Sequence, residues 1–418
     1  MTKALLLGAG FSADLGMPLV SDFTNLYFKM FSNFKEILNS QKNTHPYGPE
    51  IRLREDAFDK IIELHENLSS EMDYESFLKE IQKIYFSSKE NDYARTIHYI
   101  FGLYCEQVYK LFEFYTEKCF KIYKMNRKYY SNLFKIFKDE ELWVLSLNHD
   151  LCIESLCLDY NIPISFGDAG NISFPVDNYH LDDELLDFSY SNIQDLTIEK
   201  MKFFRNTYGV NLIKLHGALN EFFYDNKSKI VHLLPQKDDT SSSYIKKNSI
   251  VNNDMKHYIN GIYIPALGEL AISDINGECQ FLGKSILTGG YKYSKKLFDK
   301  KQGEEKMLLF KQVLSIIDEI IIIGYGFNDE HINNRLDEAM ILNENLKITI
   351  VNPDTKALPP IIDRHNHDSR ITRVNSRTPE WLHYRATGNF DIPDAQQLSV
   401  FREAHKKFSE FQHILRLK

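Results

Sequence analysis

Asn148-His149-Asp150 and His216-Gly217 hold the side chains best suited to chemistry. An asparagine amide both donates and accepts, so Asn148 can hold a sugar hydroxyl or orient a water. Histidine, with an unperturbed pKa near 6.5, can take a proton at neutral pH, which suits His216 to the work of a base. Asp150 can cap a following helix, orient Asn148 or add negative potential. Gly8-Ala9-Gly10-Phe11-Ser12 offers a different service. Gly8 and Gly10 lack Cβ atoms, so backbone amides there can come close to a ligand. A helix beginning near Ser12 adds free N–H groups and the positive end of its dipole, a combination that suits a phosphate or pyrophosphate. The stretch Gly8-x-Gly10-x-x-Ala13 carries alanine where the dinucleotide pattern has its third glycine. Gly324-Tyr325-Gly326 is a second glycine turn opening a helix, with Asn328 or Asp329 as its N-cap.

Each of these stretches follows an apolar run: Ala4 to Leu7, Leu142 to Leu147, Asn211 to Leu215 and Glu319 to Ile323. Lys347 to Val351 is a fifth run and ends in Asn352. Runs with almost no alternation belong to a parallel sheet covered on both faces, and such sheets bind ligands at the carboxyl ends of their strands. The expected fold is α/β, a doubly wound, Rossmann-like parallel sheet with a large inserted helical region and a C-terminal helix. Residues 1–24 and 141–392 are assigned to the sheet domain, 25–140 to the helical insertion and 393–418 to the terminal helix. In the insertion, Tyr74, Phe77, Leu78, Ile81, Ile84 and Tyr85 share one face at helical spacing. Ile97, Phe101, Tyr104, Val108, Leu111 and Tyr115 make a heptad-like seam, read as bundle packing. His45 to Pro49 reads as a loop between helices. Residues 160–208 read as loop with short helices, and 221–235 as a hairpin turning at Asp225-Asn226. Lys237 to Asn253 is polar and serine-rich and reads as a mobile loop, and Ser369 to Asn375 reads as a last strand. Asp394 caps the terminal helix, whose apolar face opens with Leu398 and Phe401.

With 418 residues, the chain has room for one large domain with an insertion or for several domains. Its 43% hydrophobic content is that of a globular protein, and 29 Phe and 24 Tyr promise an aromatic core. A formal charge of −8 argues against general nucleic-acid binding. No apolar run is long enough to span a membrane, and the N-terminal run leads straight into the glycine turn without a signal-peptide cleavage site. Cys105, Cys119, Cys152, Cys157 and Cys279 form no Cys-x-x-Cys pair, so no structural zinc or other metal is expected. The scattered cysteines suit a reducing cytoplasm.

Taken in order, these stretches resemble sirtuin-like proteins. Gly8-Ala9-Gly10-Phe11-Ser12, Gly16-Met17-Pro18 and Asp22-Phe23 resemble the family's opening signature. Leu19-Val20-Ser21 intervene before Asp22, and Thr24 stands where the deacylases have arginine. Asn148 and Asp150 match the family's Asn-x-Asp, and His216-Gly217 its His-Gly. Gly324-Tyr325-Gly326-Phe327-Asn328-Asp329-Glu330-His331 resembles bacterial sirtuin-like defence proteins more closely than the Gly-Thr-Ser of the deacylases. The resemblance implies NAD binding by Gly8, Ala9, Gly10, Phe11, Ser12, Asp22, Phe23, Gly324, Tyr325, Gly326 and Asn352. It implies catalysis by Asn148, His216 and Asp150, with the asparagine beside the nicotinamide ribose and the histidine as base. Asn352, which would contact the adenosine ribose, could equally belong to a plain turn with Pro353.

Two activities share such a pocket. Sirtuin deacylases use NAD to remove acyl groups from lysine. Bacterial sirtuin-like defence proteins hydrolyse NAD to nicotinamide and ADP-ribose, which starves an infected cell. A chain with a large helical insertion and without a four-cysteine zinc module fits the hydrolase. A third reading is a module that binds NAD or ADP-ribose without turning it over; the presence of both Asn148 and His216 argues against it. The resemblance also implies a cytoplasmic homo-oligomer, with a HerA-type hexameric ATPase or another phage sensor as partner.

Overall fold

Leu5, Leu6, Ile321 and Ile322 are fully buried in a computed structural model of the chain, and the strands that carry them lie side by side. The structure describes residues 2–30, 34–42, 53–68, 72–137, 141–181, 184–264, 268–286, 288, 304–353, 357–366 and 369–416. The loop expected from His45 to Pro49 lies outside them.

The strands, in chain order, are β1 (Lys3–Leu7), β2 (Glu141–Ser146), β3 (Ile164–Ser165), β4 (Gly170–Pro175), β5 (Leu185–Asn192), β6 (Gly209–Lys214), β7 (Glu221–Tyr224) and β8 (Lys229–Leu233). They continue as β9 (Tyr258–Ile259), β10 (Ile262–Tyr263), β11 (Glu269–Ser273), β12 (Cys279–Lys284), β13 (Glu319–Ile323), β14 (Lys347–Val351) and β15 (Ile371–Val374). The first helices are α1 (Ala9–Ala13), α2 (Val20–Met30), α3 (Phe34–Gln41), α4 (Glu55–Leu68), α5 (Tyr74–Ser87), α6 (Asn91–Lys118), α7 (Phe120–Asn126) and α8 (Asn132–Ile136). The rest are α9 (Cys152–Asp159), α10 (Ser241–Asn253), α11 (Glu304–Ile316), α12 (Glu330–Leu342), α13 (Pro360–Asp363), α14 (Thr378–Thr387) and α15 (Ala395–Arg416).

The fold is mixed α/β. Seven strands make an all-parallel sheet in the order β15-β14-β13-β1-β2-β6-β3. From β1 the chain builds outward on one side through β2 and β6, then returns to add β13, β14 and β15 on the other. The strand order therefore reverses between β1 and β13. A second, antiparallel sheet runs β11-β12-β7-β8-β5-β4, and β9 pairs with β10. Among the described residues, no helix is long and apolar enough to cross a membrane.

Two compact units divide the chain. The first comprises Met1–Met17, Glu113–Ile286 and Tyr293–Leu398 and holds every strand described; the second comprises Pro18–Phe112, Leu287–Lys292 and Ser399–Lys418. The expected domain edge at residue 140 thus differs from the edge inside α6. The reason is local. Asn126 Nδ2 donates to Asp14 O at 2.7 Å and Tyr130 donates to Phe11 O at 2.6 Å, so the stretch after α6 clasps the turn that follows β1. In the second unit Phe23 stacks on Phe112 at 4.4 Å, and Phe77 meets Tyr104 and Phe28 edge-on. Ile97, Tyr104, Val108 and Leu111 of the expected seam are buried, with Phe101 half-buried.

Two expectations are corrected. Residues 160–208 hold β3, β4 and β5 besides the expected loop and a short 3-10 helix at Ile193–Asp195, and in β5 Leu186 and Phe188 turn inward between exposed Leu185 and Asp187. Lys237 to Asn253 is no mobile loop: its larger part is α10, started by a reciprocal capping box between Thr240 and Ser243 and anchored by buried Tyr244 and Val251. The hairpin at 221–235 is present as β7 and β8, with Asp225 and Asn226 left-handed in its turn.

A chain of buried charges ties the antiparallel sheet to the end of β6. Lys306 on α11 donates to Lys214 O at 2.8 Å and pairs with Glu221. Glu221 lies 3.2 Å from His232, whose other nitrogen lies 3.1 Å from Asp168; Ser189 donates to the same carboxylate. Burial alone would push His232 down, but Asp168 and Glu221 outweigh it and hold the imidazole up at about 9. Burial would likewise raise Glu221, yet Lys306 and His232 hold it at about 2. His232 therefore stabilises the fold fully below about pH 6.5 and loses that contribution as pH rises to about 9, a total of about 3 kcal/mol. Denaturant titrations at pH 6.5 and pH 9 are expected to show that loss in the wild type. His232→Gln should be weaker at pH 6.5, by about 3–5 kcal/mol for a broken buried pair, and lack the slope. Parallel pH profiles for the two proteins would refute the assignment.

Candidate functional site

The parallel register brings four strand ends into one row. Ile323, Leu7, Ser146 and Lys214 stand abreast across β13, β1, β2 and β6. The row extends by one more bond at each strand. Gly8 N donates to Ile323 O, Leu147 N to Leu7 O and Leu215 N to Ser146 O, each at 2.9 Å. Asn148 and His216 each stand two residues past the ends of β2 and β6, so both leave the sheet at the same edge.

The two glycine turns at this edge touch. Gly10 N donates to Gly324 O at 3.0 Å. A Cβ on Gly10 would lie 2.7 Å from Gly324 Cα, and one on Gly324 would lie 2.4 Å from Gly10 C. Gly324 also has φ +64°, which disfavours any side chain. The glycines at 8, 10 and 324 thus serve first to let two backbones cross. The expectation of an amide cradle changes accordingly. The N–H groups of Gly8, Gly10 and Phe11 donate to Ile323 O, Gly324 O and Gly8 O within the protein, so they do not supply a pyrophosphate site. The helix starts at Ala9 rather than near Ser12 and ends at Ala13.

Asn148 is nine-tenths buried and its Nδ2 donates to Gly8 O at 2.9 Å and Ser12 Oγ at 3.1 Å. The amide therefore fastens the first glycine turn to the end of β2. Asp150 stands one residue ahead of Leu151, the N-cap of α9, and its Oδ1 accepts from Cys152 N at 2.9 Å. His149 Nδ1 lies 3.1 Å from Gly217 O, and its ring centre lies 6.1 Å from that of His216. His216 is 6% exposed, and its Nε2 lies 3.1 Å from Asp329 Oδ2, at ion-pair length but off the line of a hydrogen bond. Asp329 caps α12 through the amides of His331 and Ile332. The Asp329 carboxylate thus sets a negative charge beside the His216 ring. Gly217 has φ +76° and packs against Ser285, which a Cβ would meet at 2.1 Å.

Tyr325 and Asn352 buttress the second turn. The Tyr325 hydroxyl donates to Asp329 O and contacts Asn333 Oδ1, both at 3.1 Å, and Asn352 Nδ2 donates to Tyr325 O at 3.2 Å. Gly326 faces only Asn328, 3.6 Å from a hypothetical Cβ. Asp22 and Phe23 belong to the second unit, where Phe23 sits among Tyr27, Tyr74 and Phe112 and Asp22 lies 3.9 Å from His405.

The fold thus gathers Asn148 with Gly8 and Ser12, His216 with Asp329, and Asn352 with Tyr325. Asp329 was read from the sequence as a possible helix cap within the Gly324 to His331 stretch, and its approach to His216 had no local sign. His149 gave no separate signal. Among the described residues, no group of His, Cys, Asp and Glu is placed to hold a metal ion. No family model matches the chain, and no curated protein matches it.

The crossing of the turns makes a direct prediction. Gly10→Ala should cost about 1–3 kcal/mol through the forced backbone shift, read as a lower melting temperature. An alanine protein that melts with the wild type refutes the contact as a constraint.

Proposed function

We propose that the chain is a sirtuin-like NAD glycohydrolase, built on a doubly wound, Rossmann-like sheet, that splits NAD into nicotinamide and ADP-ribose. The observation that carries the reading is that Asn148 and the His216–Asp329 pair follow the ends of the adjacent strands β2 and β6 at the same level, on the sheet edge where strand order reverses. Open α/β sheets bind their ligands at such a point. The resemblance of the four sequence stretches supplies the substrate.

The chemistry asks little acid of the protein. The bond from ribose C1′ to the nicotinamide nitrogen breaks with its electron pair on nitrogen, which makes nicotinamide a neutral leaving group. The sugar passes through an oxocarbenium-like state, as in other glycosidic cleavages. A water oxygen bonds to C1′, and its proton goes to His216 and then to solvent. Asp329 stabilises the imidazole when it is charged. Asn148 keeps the first glycine turn against the end of β2 and so sets the wall on which the ribose rests. In this reading the enzyme depletes NAD when triggered, as the defence proteins it resembles do.

Incubation of the purified chain with NAD, followed by separation of the products, tests the proposal. Nicotinamide and ADP-ribose in equal amounts, without any acyl peptide, are expected; turnover that requires an acyl-lysine peptide overturns it. Asn148→Ala and His216→Ala should each lower turnover by about two orders of magnitude or more. Asp329→Asn should lower it at least ~10-fold, with KM changed far less, since it acts on the base and not on binding. Wild-type rates in His216→Ala mean that the base lies elsewhere.

A further inference from the structure

Lys214 ends β6 in the interior, with its side chain 1% exposed. A lone ammonium there would be costly. Two backbone carbonyls accept from it, and a carboxylate stands within ion-pair reach. Nζ lies 3.2 Å from Glu154 Oε2 on α9, itself fully buried, and donates to Asp150 O at 2.5 Å and Asn148 O at 3.4 Å. Burial pushes the Glu154 carboxyl up, and the Lys214 cation opposes that rise. Both carbonyls belong to the turn that leaves β2, beyond the last ladder bond of the sheet. The same turn is held at its start by Ser146 Oγ, which accepts from Asn148 N at 3.1 Å. Well-packed apolar residues in place of a buried ion pair are often neutral or stabilising, so stability alone does not account for a lysine at this position.

We infer that Lys214 is a positioning residue of the proposed hydrolase, whose ammonium clamps the carbonyls of Asn148 and Asp150 and thereby aims the Asn148 amide at Gly8 and Ser12. Glu154 serves the clamp by neutralising it and does not itself hold the turn. The inference rests on the NAD-hydrolase reading for its kinetic consequence, but the clamp is a property of the fold.

The test pairs kinetics with amide exchange in the full chain. Lys214→Met combined with Glu154→Leu removes both charges and keeps the volume, so the protein should fold. Its kcat should fall at least ~10-fold with KM within about threefold, the cost of a misplaced group rather than lost binding. Exchange over residues 147–152 should quicken about tenfold, while 142–146 keeps its protection. Glu154→Gln, which leaves the ammonium on its carbonyls, should keep kcat within about threefold although it melts earlier. Wild-type kcat and exchange in the double variant overturn the clamp. Equal loss of kcat in Glu154→Gln also overturns it, because a structural pair would then explain everything. If the double variant does not fold, the Glu154→Gln arm still decides. If the wild-type chain leaves NAD intact, the hydrolase reading falls by itself, and the exchange arm alone decides the role of Lys214.

Discussion

The backbone crossing of Gly10 and Gly324 is the constraint from which the rest of the site follows. Adjacent parallel strands lie about 4.8 Å apart. When both leave the sheet at the same level, their turns must either splay or touch. Here they touch, with Gly10 N on Gly324 O, and a side chain on either residue would drive them apart. Splayed turns would take Gly8 O and Ser12 away from Asn148. They would also take Asp329, five residues past Gly324, away from His216. The glycines therefore decide which side chains the two turns and the helices after them can reach.

Charge is the second organising principle, and it works by alternation. Lys306, Glu221, His232 and Asp168 follow one another from α11 into the antiparallel sheet, each sign answered by the next. Lys214 and Glu154 form a second pair one residue's backbone away, since Lys306 binds the carbonyl of Lys214 itself. A buried charge is tolerable only when partnered, so each member fixes the rotamer of its neighbour. The two sheets of the first unit are joined in this way by directional contacts, where an apolar seam would allow sliding.

Legibility in the sequence followed the range of the interactions. Ala4 to Leu7 and Ile320 to Ile323 announced a parallel sheet because strands buried on both faces must be apolar throughout. Asn148 and His216 were visible because each follows such a run directly. The antiparallel strand β5 was missed because Asp187, Ser189 and Ser191 break its apolar pattern, and the buried Ser189 finds its acceptor in distant Asp168. The helix from Ser241 was missed because serine, lysine and asparagine fill it, while its capping box and the buried hydroxyl of Tyr244, bonded to Leu233 O, depend on what surrounds it. The pairing of His216 with Asp329 joins residues more than a hundred positions apart. No local pattern carries that information.

The pairing of β1 with β13 has a consequence for synthesis. β1 is made long before β13, and Ile321 joins Leu5 only after the intervening chain exists. At roughly 5–20 residues per second a ribosome needs on the order of 15–60 s for those roughly 300 residues. In that interval β2 can cover one side of β1, while the other side offers an unpaired row of amides and carbonyls on an apolar strand. Such an edge is a template for foreign strands. From the making of β1 to the making of β13, the nascent chain therefore holds its central strand half-paired.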